Sequence, residues 1–122
     1  MSDVLRRTIR STLDLTRNTL PMYAQEYYKA DQQIDVHTHQ RIVLGTNSGT
    51  QQFDLSGLNT TNPGAAMFLS TNRTIVVAIN AEANTLTLSD NGMIMFTGTF
   101  THVFVQNNST TYTASLEFVA TD

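Results

Sequence analysis

The stretch D-V-H-T-H, which begins at Asp35, holds the side chains of this sequence that are best suited to bind a metal ion. Alternate residues of a β-strand share one face, so Asp35, His37 and His39 would point the same way. A protein zinc site needs a third and a fourth ligand in fixed geometry, and Arg41, on the same parity, would repel a cation. We therefore predict a polar stripe that faces solvent or another subunit, with no metal ligand and no cofactor.

The rest of the sequence does not favour catalysis. It contains no cysteine, which excludes disulfides, thiolate nucleophiles and cysteine metal sites. It also lacks the G-x-S-x-G, P-loop and G-x-G-x-x-G motifs. His102 lies between Phe100 and Phe104 at alternate positions, so we expect it to be partly buried and hydrogen-bonded. We predict no catalytic residues and no enzymatic activity; a small metal-dependent β-barrel enzyme centred on His37 and His39 is the rival interpretation.

The composition indicates a globular β-protein with a polar but weakly charged surface. The 122 residues include 20 threonines and 10 asparagines, and only 14% are charged, against about 25% in typical domains. Threonine suits strands and asparagine suits turns. A net charge of −3 argues against nucleic-acid binding by the main domain. No stretch approaches the roughly 18 apolar residues of a membrane span, and the N-terminus lacks the apolar region of a secretory signal.

Residues 1–20 form the first predicted unit, an N-terminal helical arm. The positions Leu5, Ile9, Leu13 and Leu20, with Thr16 between the last two, follow steps of three and four, and Pro21 ends the pattern. Four arginines and two aspartates give this segment a charge of +2, whereas three basic and eight acidic residues give the remainder −5. Two placements stay open: the helix covers the open end of its own sheet, or it reaches onto a neighbouring subunit.

Residues 21–32 form a predicted connector with three of the four tyrosines, and residues 33–122 form the predicted β-domain. Eight segments there alternate apolar and polar residues or are apolar throughout, and turn-forming residues separate them. The predicted strands span 33–44, 51–55, 66–70, 73–80, 85–89, 93–97, 101–106 and 111–120. The pattern predicts an all-β fold: a jelly-roll-like antiparallel β-sandwich of about eight strands with a short N-terminal helix or arm.

Three stretches of the β-domain resemble small virion proteins of tailed bacteriophages. They are R-I-V-L-G-T-N-S-G-T-Q-Q-F-D-L-S-G-L at 41–58, F-L-S-T-N-R-T-I-V-V-A-I-N at 68–80, and F-T-G-T-F-T-H-V-F-V-Q-N-N-S-T-T-Y-T-A-S-L-E-F-V-A at 96–120. The resemblance implies a structural subunit of the virion, present in many copies, such as a capsid decoration (cement) protein or a neck or tail component. It carries over no catalytic residues.

We accordingly expect a non-enzymatic subunit that docks on copies of itself and on other virion proteins, with neither nucleic acid nor membrane as a partner. The residues predicted to contact these partners lie in the arm and the connector: Leu5, Arg6, Ile9, Arg10, Leu13, Arg17, Tyr23, Tyr27 and Tyr28. The alternative is a module that binds carbohydrate or a host surface through loops such as 56–65 or 106–111. The absence of tryptophan, a residue well suited to stack on sugars, weighs against that alternative.

Overall fold

The computed structural model describes residues 5–34, 37–58 and 65–122, and for residues 5, 13–16 and 20–34 it describes the backbone alone. Every element in these ranges is a β-strand, ten in all. The chain divides into two compact units, Met1–Asp35 and Val36–Asp122. The predicted all-β class is confirmed.

The first unit is a long antiparallel hairpin of β1 (Leu5–Arg17) and β2 (Leu20–Ile34). Its turn consists of Asn18 and Thr19, which both have positive φ angles, 50° and 67°. Positive φ at both central residues is the type I′ geometry, whose twist matches that of the flanking strands. The prediction of a short N-terminal helix is therefore wrong, and the predicted connector 21–32 lies within β2.

The physical reason for this error is an ambiguous spacing. Leu5, Ile9 and Leu13 are four residues apart, a step that returns to one face of a helix and equally to one face of a strand. Leu15 continues the strand parity, and the threonines of this segment favour an extended chain because β-branched side chains are restricted in helices. Pairing with β2 then supplies the backbone hydrogen bonds that a helix would otherwise have made internally.

The second unit contains the other eight strands, at positions close to those predicted. They are β3 (His37–Leu44), β4 (Gln51–Gln52), β5 (Ala66–Thr71), β6 (Ile75–Ile79), β7 (Thr85–Leu88), β8 (Met93–Thr97), β9 (Val103–Gln106) and β10 (Ala114–Thr121). They form two four-stranded sheets: the first sheet has the order β3-β10-β5-β8 and the second sheet the order β4-β9-β6-β7. All neighbouring strands are antiparallel.

This strand order is that of a jelly roll. Every connection except the one between β6 and β7 crosses from one sheet to the other, so the two sheets are wound together as a pair of Greek keys. The predicted sandwich of about eight strands is confirmed. Such winding leaves four edge strands, β3 and β8 in the first sheet and β4 and β7 in the second.

The space between the two sheets is filled by apolar side chains. Phe53 stacks on Phe118 with ring centroids 4.1 Å apart, and Phe96 meets Phe100 edge to face at 6.2 Å. The largest side chains that are fully buried here are Phe100, Phe118, Leu44, Leu69, Ile75, Val77, Val103 and Val105. Each contributes roughly 1.5–3 kcal/mol by its removal from water, so the alternation of these residues along each strand fixes the pairing register.

Asparagines form many of the turns between these strands. Asn47, Asn80 and Asn91 all have positive φ, as does Asn18 in the hairpin. Asparagine tolerates the left-handed region better than other residues with a side chain. Asn47 and Asn91 lie between predicted strands and Asn80 at the end of one, whereas Asn18 lies in the segment that was predicted to be helical.

Candidate functional site

The polar stripe predicted around D-V-H-T-H lies on the outward face of β3, an edge strand of the first sheet. His37, His39 and Arg41 are all exposed, whereas Leu44 points into the core. Asp35 lies outside the described residues. The prediction that the two imidazoles are on the solvent side of a strand is therefore confirmed for the histidines.

His39 and Arg41 share a single carboxylate across the sheet. Arg41 is paired in register with Glu117 on β10. His39 Nε2 lies 2.7 Å and Arg41 Nη2 lies 3.4 Å from Glu117 Oε1. The hydrogen bond from His39 and then the positive charge of Arg41 lower the pKa of Glu117. His39, Arg41 and Glu117 thus form a small, solvent-exposed ion-pair cluster that joins β3 to β10.

The described residues contain no group of three or more histidine, aspartate or glutamate side chains placed to hold a metal ion. His102 lies apart from the other two histidines, on the second sheet's outward side, where its ring stacks on Phe104 with centroids 5.7 Å apart. Its Nδ1 is 3.0 Å from Thr101 Oγ1. His102 is hydrogen-bonded as predicted. The prediction that it is partly buried is wrong: the chain bends at Thr101, so His102 is exposed although Phe100 is buried.

The depressions described on the sandwich are open grooves at its surface. One is lined by Arg41, Val43, Ser70, Asn72 and Glu117, among others, on the outward side of the first sheet. A second lies beside the loop that follows β9, where Asn108, Ser109, Thr110 and Tyr112 face Thr74. A third lies along the 53–58 loop. Most polar groups of the second and third grooves belong to loop residues that also hold the loops together, whereas those of the first groove include Arg41, Ser70 and Glu117 on strands.

The residues predicted to contact partners all lie on the hairpin, and the strand pairing brings two of them, Arg10 and Tyr28, opposite each other. Arg10 is paired with Tyr28, Ser11 with Tyr27 and Leu15 with Tyr23. Leu5, Arg6, Ile9, Arg10, Leu13 and Arg17 are on β1, and Tyr23, Tyr27 and Tyr28 are on β2. Arg6, Arg10 and Arg17 are exposed and Ile9 is buried. The side chains of Leu5, Leu13 and the three tyrosines are outside what the structure describes.

The first sheet also carries an outward apolar row that the sequence reasoning missed. Val119 on β10, Phe68 on β5 and Met95 on β8 are adjacent in the pairing register, and all three point away from the core and are partly exposed. Met93, two residues from Met95, is 49% exposed, and Val43 at the end of β3 is 65% exposed. The row is bordered by polar side chains, including His39 and Glu117.

The sequence contains only part of the information that is needed to predict this apolar row. Met93 and Met95 alternate with Ile94 and Phe96, so the segment reads as apolar on both faces. A strand that is apolar on both faces is usually buried on both faces. Only the strand order shows that β8 is an edge and that its methionines are next to Phe68 on the outside.

Comparison with known proteins gives no family. No protein-family model matches the chain, and no curated protein matches it. Among solved structures, the cupin domain of Cnp3 from Schizosaccharomyces pombe matches with a TM-score of 0.49 and 10% sequence identity, covering 94% of this chain and 84% of that domain. A likeness at this level assigns neither a family nor a function. Within the described residues, no helix is long and apolar enough to cross a membrane.

Proposed function

We propose that this protein is a non-enzymatic structural subunit of a multi-copy assembly, of the kind found in the virions of tailed bacteriophages as capsid decoration, neck or tail components. Its sandwich supplies a rigid body, and its N-terminal hairpin is the arm that docks on neighbouring subunits. The observation that carries the proposal is the hairpin, a compact unit of two long strands that is distinct from the sandwich.

The hairpin is long relative to every strand of the sandwich. At about 3.3 Å per residue, the 13 residues of β1 extend over roughly 43 Å, whereas the longest sandwich strands have eight residues. Among the described strands, β1 and β2 pair only with each other. An isolated two-stranded sheet is marginally stable in water and leaves an unpaired edge on each strand. Such a ribbon becomes stable when another surface or strand packs on it.

The charges of β1 and of the sandwich support contacts between copies, although the first unit as a whole, residues 1–35, has five basic and five acidic residues and is neutral. β1 carries four arginines and one aspartate, a net +3, whereas residues 36–122 carry two arginines and five acidic residues, a net −3 with histidine neutral. Opposite charges steer association and suppress wrong partners, although each exposed pair adds little stability by itself. A basic strand on one subunit is therefore electrostatically suited to the acidic sandwich of another.

The sandwich has the properties of a rigid body. Its interior is filled by aromatic and aliphatic side chains, and no buried side-chain nitrogen or oxygen among the described residues lacks a hydrogen-bond partner. A filled and fully hydrogen-bonded interior resists local opening.

The proposal is tested by removing the hairpin. A variant that lacks residues 1–35 retains the whole apolar core cluster of the sandwich, and we expect it to unfold cooperatively while losing higher-order assembly. Light scattering over a range of protein concentrations, with electron microscopy, measures the assembly. A variant that lacks only residues 1–4 keeps both strands and serves as the control. Assembly of the 36–122 variant to the same mass as the full chain would contradict the proposal.

The virion assignment has its own test. If a phage genome encodes this chain, mass spectrometry of the purified particles of that phage should find many copies of the chain per particle. Recovery of the chain only from the lysed host, and none from washed particles, would remove the virion part of the proposal while leaving the self-assembly part intact.

A glycan-binding or host-surface-binding module is the second candidate, and one observation favours it. The groove beside the 106–111 loop combines the hydroxyl and amide groups of Asn108, Ser109 and Thr110 with the ring of Tyr112. Aromatic rings beside hydrogen-bonding groups are common in ligand sites. Tyr112, however, is already engaged: Arg73 lies 5.1 Å from its ring and its hydroxyl donates to Thr74 O. A glycan array at high protein concentration that shows no binding would eliminate this candidate.

A further inference from the structure

Strand β8 is an exposed strand edge that lacks the features by which proteins usually protect such edges. Its five residues, Met93–Thr97, include no charge and no proline, and its pairing with β5 is continuous, without a bulge. Charged side chains, proline and bulges are the common means of preventing an edge strand from pairing with another chain. The opposite edge of the same sheet, β3, carries His37, His39 and Arg41.

The residues of β8 are more exposed than those of the strand beside it. All five of its residues are at least partly exposed, whereas four of the six residues of neighbouring β5 are buried. Within the part of the chain that the structure describes, β8 has a strand partner on one side only. The edge of β7 is also uncharged, but it is shorter and its outward residues are the threonines Thr85 and Thr87.

We propose that β8 pairs antiparallel with β8 of a second copy of this chain, about a two-fold axis at Met95, so that the two first sheets join into one sheet of eight strands. The inference deepens the proposed function and rests on it, since a self-assembling subunit has a use for this contact. It involves a different element from the hairpin, so the two can fail separately.

Symmetry fixes the register of this pairing. Two identical antiparallel strands related by a two-fold axis at Met95 place Met95 opposite itself, Ile94 opposite Phe96 and Met93 opposite Thr97. Residues of equal parity face each other, so outward side chains remain outward and inward side chains remain inward. An isologous contact of this kind closes after two copies.

The outward apolar row explains why the occupant is a second copy. In each copy the row runs Val119, Phe68, Met95 across three adjacent strands and ends at the β8 edge. Joining the two edges at Met95 makes one continuous row of six side chains, with the methionines in contact at its centre. The side chains that meet are uncharged on both sides, so no like charges repel, as would happen if Arg41 of β3 met its own copy. Polar residues at both ends give the row the anatomy of an interface.

Single cysteine substitutions test the register, because the natural sequence has no cysteine. Directly opposite residues of an antiparallel pair have Cα atoms about 4.5–5.5 Å apart, within the range of about 4.4–6.8 Å that a disulfide spans. With Met95→Cys in the full chain and a mild oxidant, we expect most of the protein to become a covalent dimer on a non-reducing gel.

Met93→Cys is the matched control. Met93 is two residues from the axis, so the two copies of position 93 are four residues, or roughly 13 Å, apart. It is also more exposed than Met95, so random collisions would crosslink position 93 faster. Rapid crosslinking at 95 and little at 93 is the result expected. Equal or faster crosslinking at 93, or none at either position, would overturn the proposal.

A charge at the axis gives a second, non-covalent measurement. Met95→Lys places two ammonium groups next to each other in the dimer, and we expect it to raise the dimer dissociation constant about tenfold or more. Thr87→Lys, on the outward side of the β7 edge, is the control and should leave association unchanged. Circular dichroism checks that both variants are folded. A Met95→Lys variant that is folded and associates like the wild type would refute the contact.

The two proposals give separable outcomes. Loss of higher-order assembly on removing residues 1–35, with crosslinking at position 95 retained, supports both contacts. Crosslinking at 95 in a chain whose assembly does not need the hairpin sustains the β8 contact and contradicts the hairpin's role. Assembly that needs the hairpin but shows no crosslinking at 95 overturns the β8 contact alone.

Discussion

Asn107 is the polar residue on which the loops at one end of the sandwich depend. Its side chain is fully buried, and its Nδ2 donates to Gly45 O at 3.1 Å and to Tyr112 O at 2.9 Å, with Leu44 O at 3.4 Å. Its Oδ1 accepts from Ser109 N at 3.0 Å. One amide thus joins the end of β3 to both sides of the loop between β9 and β10.

We expect replacement of the Asn107 side chain to lower the free energy of unfolding by much more than the loss of a few side-chain atoms would. Asn107→Ala removes the partner of the Gly45 and Tyr112 carbonyls and of the Ser109 N–H group, all in part-buried hydrogen bonds, and unsatisfied buried groups cost about 1–3 kcal/mol each. We expect a loss of about 3 kcal/mol in the free energy of unfolding, measured by urea denaturation. Asn108→Ala, at the exposed neighbouring position, should change it by less than about 0.5 kcal/mol. Equal effects of the two substitutions would show that the buried network is not what holds this loop.

Glu117 gives the sandwich an acid-sensitive contact. The hydrogen bond from His39 and the charge of Arg41 lower its folded-state pKa below the ordinary value of 4.5. The carboxylate therefore contributes stability that is fully present above its unfolded-state pKa and is lost as the pH falls through the folded-state pKa. The stability advantage of the wild type over Glu117→Gln should be seen near neutral pH and should disappear in acid.

Urea denaturation of both proteins between pH 7 and pH 2 measures this difference. Glu82→Gln removes the same charge at an exposed turn and corrects for the change in net charge. Raising the salt concentration should reduce the neutral-pH difference, because exposed charges are screened. A difference that stays constant across this pH range would mean that the pairing with His39 and Arg41 does not stabilise the fold.

At the scale of elements, the turn between β7 and β8 is held by a close approach of backbone to backbone. Gly92 N donates to Ser89 O at 2.8 Å, and a Cβ atom on Gly92 would lie 2.7 Å from that oxygen. Asn91 supplies the positive φ of 59° in the same turn. Only glycine fits at position 92 without moving the chain that leads into β8.

Gly92→Ala should consequently destabilise the protein by about 1–3 kcal/mol, the usual cost of forcing extra atoms into a filled site. Gly49 is the matched control, since a Cβ atom there meets nothing within 4 Å. Gly49→Ala should be neutral or slightly stabilising, because it reduces the freedom of the unfolded chain. Thermal and urea unfolding of both variants measure the contrast; equal unfolding midpoints would show that the turn shifts at no cost.

At the scale of the whole molecule, stability is distributed unevenly between the two units. The buried apolar cluster lies entirely in residues 36–122, and the hairpin consists of two strands that pair with each other. Local opening free energies in proteins range from near zero up to the global value, and they follow the amount of buried apolar contact. The sandwich should therefore set the global stability.

Hydrogen exchange of the dilute chain should show this hierarchy directly. We expect amides of β5 and β10 to exchange roughly 100-fold or more slowly than those of β1 and β2, a difference that corresponds to about 3 kcal/mol. Protection of the hairpin should rise as assembly proceeds, because docking would add contacts to those of the strand pairing. Equal protection of the hairpin and the sandwich in the dilute chain would contradict this account.

The sequence by itself determined the eight strands of the sandwich, most of their inward faces and the solvent side of D-V-H-T-H. Burial of alternate side chains leaves a period of two in each strand, which is readable locally. Leu86 shares the inward parity of buried Leu88 but is 37% exposed, because it lies on the edge strand β7. Strand ends and edge positions depend on which neighbours are present, and no local period contains that information.

Only the tertiary structure decided the rest. The spacing of Leu5, Ile9 and Leu13 is compatible with one face of a helix and with one face of a strand. The pairing of β1 with β2 makes this segment a strand. The ion-pair cluster of His39 with Glu117, and the row that joins Met95 to Phe68, bring together residues that are distant in the sequence. Such contacts follow from strand order and register, which many non-local side chains fix jointly, so single segments do not reveal them.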